Sequence, residues 1–125
     1  MEGEQGEEGR RGEGGGGEHD RRGEAEEFKK RGTDAYKKRQ FGGAAECYLQ
    51  AARLYPAGKG VYLSNASAAF LELGRYREAM SCAREAVEVL ASDDPVRAKA
   101  EARLRRATAL ADAQLGRGVA HPADV

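Results

Sequence analysis

Phe41-Gly42-Gly43-Ala44-Ala45-Glu46-Cys47 and Tyr76-Arg77-Glu78-Ala79-Met80-Ser81-Cys82 are one phrase written twice, 35 residues apart. The same offset sets Ala51 over Ala86 and Leu54 over Val89. A period of this length, with small and aromatic residues recurring in register, marks a stack of helical hairpins. The repeated region spans 25–91, so the flanks are read relative to it.

Five helices follow from the spacing. The first is expected from about Glu24 to Arg39, with Ala25, Phe28, Gly32, Ala35 and Tyr36 on one side. A glycine inside a helix weakens it, so Gly32 signals close approach by a neighbouring helix. A second helix follows Gly42-Gly43 and runs to about Leu54, where Pro56 and Gly58 end it. The third covers about Gly60 to Leu73, with Gly74 as its stop. The fourth runs from Tyr76 to Leu90 with Ala79, Ala83, Ala86, Val87 and Leu90 buried. Asp94-Pro95 opens the fifth, an acidic cap followed by proline in the first turn. Its apolar stripe is Ala100, Leu104, Ala107, Ala111 and Leu115, and Gly116 and Gly118 stop it. No strand pattern competes.

The domain plan is therefore a Gly/Glu-rich arm over 1–23, a folded body over 24–116 and an unstructured tail over 117–125. The arm holds nine glycines and a net charge of −3, with Met1 as its one apolar side chain. Such a segment cannot bury enough surface to offset the entropy of ordering, so it reads as disordered. The remainder carries +3. No apolar run reaches bilayer-spanning length, and no signal or transit segment is legible. Together these point to a cytoplasmic protein, a nuclear location being compatible too. Cys47 and Cys82 occupy equivalent repeat positions and read as reduced, half-buried helix residues rather than a disulfide or metal pair.

The pattern resembles the tetratricopeptide repeat. Gly32, Phe41, Ala44, Tyr48, Ala51 and Pro56 stand at the first repeat's signature positions, and Gly74, Tyr76, Ala79 and Ala86 serve the second. The resemblance implies an all-α solenoid of about two and a half repeats. A narrower likeness is to the co-chaperone subset, carried by Phe28-Lys29-Lys30-Arg31-Gly32-Thr33-Asp34-Ala35-Tyr36 and Val61-Tyr62-Leu63-Ser64-Asn65-Ala66-Ser67-Ala68-Ala69-Phe70. That subset grips the acidic Glu-Glu-Val-Asp tail of cytosolic heat-shock chaperones with a clamp of Lys, Asn and Arg side chains. Carried over position by position, the clamp implies Lys29, Asn65 and Arg105 as peptide-binding residues. Thr33 stands where Asn is usual and still offers a hydrogen bond; Glu101 stands where a second Lys is usual and reverses the charge. The insertion before Lys99 and the Arg105-Arg106 pair also resemble the repeats of axonemal dynein assembly factors.

Charge alone gives a compatible reading. Lys29–Arg39 carries a net +5 and Arg97–Arg106 a net +4, on helices that would line one wall with Tyr36 and Leu71. An anionic chain end in such a cleft makes charge-assisted, salt-sensitive contacts. The plainer alternative is a solvated basic face with Asn65 as a structural amide. A small net charge and no interleaved aromatics argue against nucleic acid. The sequence has no metal-ligand cluster, phosphate loop or nucleophile–histidine pairing, so neither an enzyme nor a cofactor is expected. The expected function is a non-enzymatic adaptor binding the chaperone tail. The alternative is a scaffold that packs on another protein or, through the fifth helix, on itself.

Overall fold

A computed structural model describes the backbone of residues 15–124 and the side chains of 21–116. The chain forms an all-α stack of helical hairpins: α1 (Gly15–Lys37), α2 (Phe41–Leu54), a short 3-10 turn (Pro56–Gly58), α3 (Lys59–Leu73), α4 (Tyr76–Val89) and α5 (Pro95–Asp124). No strand occurs among the described residues. Each helix packs on the next in order, and α3 also meets α5. Helices α1, α3 and α5 thus share one wall, with α2 and α4 behind it.

The repetition in sequence is matched in the turns. After α1, the Gln40 N–H donates to the Ala35 carbonyl at 2.8 Å across Arg39, whose φ is +62°. After α3, the Arg75 N–H donates to the Phe70 carbonyl at 2.9 Å across Gly74, whose φ is +75°. The two turns lie 35 residues apart and share a left-handed C-terminal closure, which glycine makes without strain and arginine does not. At the junction between the second hairpin and α5, Asp94 Oδ1 accepts from the Val96 N–H at 2.8 Å, capping α5 with Pro95 in its first position.

The core is made of small side chains. Ala44, Ala51, Ala66, Ala69, Ala79, Ala83, Ala86, Ala100 and Ala107 are fully buried. Alanine lets helix axes approach closely, so a few large residues fill what remains: Tyr48, Tyr62, Leu63 and Phe70. Buried hydroxyl groups tie the helices together. Ser67 Oγ donates to the Ala79 carbonyl at 2.9 Å, tying α3 to α4. Tyr62 donates its hydroxyl hydrogen to Glu26 Oε2 at 2.6 Å, tying α3 to α1. The expected close approach at Gly32 is present: a Cβ there would lie 2.9 Å from the Tyr48 ring.

Both ends differ from the expected boundaries. Helix α1 begins at Gly15 rather than near Glu24, and α5 continues to Asp124 rather than stopping at Gly116. Once a helix is nucleated by packing, each added residue needs only one further hydrogen bond, so glycines slow its growth without ending it. Residues 1–14 of the expected disordered arm lie outside the described residues. No described helix is long and apolar enough to cross a membrane.

Candidate functional site

Two adjoining hollows open on the wall formed by α1, α3 and α5. One, of about 220 Å³, is lined by Thr33 and Tyr36 from α1, Tyr48 from α2, Asn65 and Ala68 from α3, and Arg103 from α5. The other, of about 290 Å³, shares Tyr36, Ala68 and Arg103 and adds Leu71, Glu72, Ala102 and Arg106. Arg103 therefore stands between the two, at the point where all three inner helices converge.

Its surroundings define the chemistry. Arg103 Nη1 donates to the Ser64 carbonyl at 3.0 Å and to Ser64 Oγ at 2.8 Å. Burial lowers the Arg103 pKa, against the opposing pull of Tyr36 and Tyr48. Among the described residues it has no carboxylate within ion-pair distance. A half-buried guanidinium held by neutral acceptors has lost part of its hydration and gained no counter-charge. An incoming anion supplies one, and the planar fork of arginine suits a carboxylate.

The first hollow also carries hydroxyl groups. Thr33 Oγ1 and the Tyr48 hydroxyl lie 2.9 Å apart in a hydrogen bond that either can donate. Burial raises the Tyr48 pKa, so its hydroxyl stays protonated near neutrality. Tyr36 likewise has a raised pKa, from burial first and from Glu72 second. Tyr36 also packs edge-on against Phe41, ring centroids 5.0 Å apart, which fixes its ring at the mouth.

The sequence-derived residues separate into two groups. Thr33 and Asn65 are brought together with Tyr36 in one hollow, and Leu71 lines the next. Lys29 lines neither and is paired with Glu26 at 3.4 Å. Arg105 lines neither and is exposed. The basic residue that meets Thr33 and Asn65 is Arg103, two positions earlier and so about 200° around the helix. Glu101 faces Arg97, its Oε2 accepting from Arg97 Nε at 3.1 Å, rather than the hollow. The signal for Arg103 lay in the phase of α5: Ala100 and Ala107, seven apart and both fully buried, turn it toward α3.

No family model matches the sequence. Over 83 residues the chain is 36% identical to the small glutamine-rich tetratricopeptide repeat-containing protein 2 of Mycosarcoma maydis. The match supports the tetratricopeptide repeat family. It takes in 66% of this chain and 22% of the relative, so the chain spans about a fifth of that relative's length. In repeat terms, α1–α2 and α3–α4 are two hairpins, and α5 packs on α3 and α4 as a fifth helix.

Proposed function

We propose that this chain is a non-enzymatic adaptor that holds the anionic end of a partner polypeptide on the wall of α1, α3 and α5. The observation that carries this reading is Arg103: half-buried, anchored on Ser64, without a described acidic partner, and beside Thr33 and Asn65. The tetratricopeptide repeat of the relative supports a protein partner. In its finer form the ligand is the acidic C-terminal tail of a heat-shock chaperone, met in the cytoplasm. The terminal carboxylate would meet Arg103, with Thr33 and Asn65 donating beside it. The tail's aliphatic side chain would rest on Tyr36 and Leu71.

Fluorescence anisotropy with a labelled peptide ending in Glu-Glu-Val-Asp, free or amidated at its C-terminus, tests this. The expected result is binding at low salt that weakens on amidation and in Arg103→Met. No binding by about 1 mM, a bound state worth only about 4 kcal/mol, removes the chaperone-tail reading. Equal binding by Arg103→Met removes the anchor.

A further inference from the structure

Helices α1 and α3 are each backed by an outer helix, but none backs α5 among the described residues. The chain itself shows what the next hairpin does to the outer helix before it. On α2, Ala45 is buried, and Leu49 packs into the cluster of Leu63 and Ala86 that also takes Cys82 of α4. The positions 35 residues later on α4 are Met80 and Arg84. With Arg77 and Ser81 they form one stripe of α4, spaced i, i+3, i+4 and i+7. Ala111, Asp112 and Leu115 of α5 form the opposite bank of a groove of about 270 Å³. Leu115 is 57% exposed there.

The charge on this groove departs from the repeat. Arg77 and Arg84 replace Gly42 and Leu49, two turns apart on one side. Both are exposed, and neither belongs to an ion pair among the described residues. A second copy is a poor complement. Among the described residues, its α5 sets Arg97, Lys99, Arg103, Arg105 and Arg106 against Glu101 and Asp112. Glu78, Glu85 and Glu101 are already paired with Arg75, Lys59 and Arg97, which leaves Glu88 and Asp112 and no two free acids two turns apart on the described parts of α4 or α5. We propose that the α4–α5 groove seats an amphipathic helix of another protein. Its apolar stripe lies on Met80, Ala111 and Leu115, and two acidic residues two turns apart face Arg77 and Arg84. This surface is separate from the wall of α1, α3 and α5, so either can fail without the other.

The test is a pair of labelled four-turn helical peptides with one Leu/Ala stripe, carrying Glu or Lys at two positions seven apart, titrated into the full chain. The Glu peptide binds about tenfold more tightly than the Lys peptide, the size that two exposed pairs exchanged for two repulsions give. Arg77→Glu/Arg84→Glu reverses that preference, with helicity unchanged because both side chains are exposed. Leu115→Asp weakens both peptides, and Arg103→Met weakens neither. Equal binding of the two peptides, no binding of either, or loss in Arg103→Met overturns the proposal. A dimer of the free chain by sedimentation that Leu115→Asp dissociates overturns it in favour of a second copy.

Discussion

Replacing Gly32 by alanine sets two opposed effects against each other at the base of the groove. Alanine removes an interior glycine from α1, which by helix propensity alone stabilises by about 1 kcal/mol. The new Cβ would lie 2.9, 3.0 and 3.1 Å from three carbons of the Tyr48 ring, well inside ordinary contact distance. The ring has little room to yield, because Tyr48 is only 4% exposed and its hydroxyl is bonded to Thr33. Overpacking of this kind costs roughly 1–3 kcal/mol, and a displaced hydroxyl forfeits about 0.5–1.5 kcal/mol more. The net expectation is destabilisation of about 1–3 kcal/mol, a fall in Tm of roughly 5–15 °C for a chain this size. Urea unfolding followed by circular dichroism measures it. Tyr48→Leu makes room, so in that background Gly32→Ala should become neutral or stabilising, a coupling that a double-mutant cycle isolates. A higher urea midpoint for the single variant, or an equal effect in both backgrounds, would refute the close-contact argument.

Three further outcomes are expected. Arg103→Met should weaken a peptide ending in Glu-Glu-Val-Asp on the α1/α3/α5 wall at least about tenfold while Arg105→Met leaves it within about twofold, since arginine–carboxylate contacts are strong only where partly desolvated; equal effects in anisotropy titrations would contradict the assignment. The Tyr62 hydroxyl bond holds the Glu26 pKa below the usual carboxylate value, and burial followed by that bond pushes Tyr62 well above the usual phenol value. Its stabilisation is therefore present from above about pH 4.3 to below about pH 10, lost as pH falls through the Glu26 value or rises beyond the phenol range. Subtracting the urea-midpoint curve of Tyr62→Phe from that of the parent should give a plateau with both limbs, and a flat difference would count against the pair. Burial pushes the Cys82 thiol up to about 11, so at pH 8 only about one in a thousand is thiolate. Peptide mapping after iodoacetamide should find Cys82 alkylated far more slowly in the native chain than in urea, and equal rates would show the site to be open.

The hairpins were legible because their determinants are local. An aromatic opening each outer helix, alanines at fixed offsets, Gly74 at a left-handed turn and Pro95 behind Asp94 act within a few residues. The 35-residue echo then implied that neighbouring units stack alike. Gly32 belongs here too: a glycine where propensity disfavours it pointed to a close neighbour, though only packing named Tyr48. The helix ends were less legible, because extension beyond a packed segment is weakly biased either way.

The groove was legible in kind and not in detail. A basic, partly apolar wall with Tyr36 and Leu71 follows from the chain's charge and repeat register, while Thr33 and Asn65 came from the resemblance to the co-chaperone repeats, and the structure sets them in one hollow. The insertion before Lys99 breaks that register, and a residue's side of a helix changes by about 100° per position. Arg103 and Arg105 are thus alike in sequence and nearly opposite in space. Sequence alone determined that two helical hairpins and a fifth helix would stack, because spacing and turn chemistry act along the chain. The packing of Ala100 and Ala107 against the other helices decided which arginine enters the groove, because the rotation of α5 is set by contacts far apart in sequence.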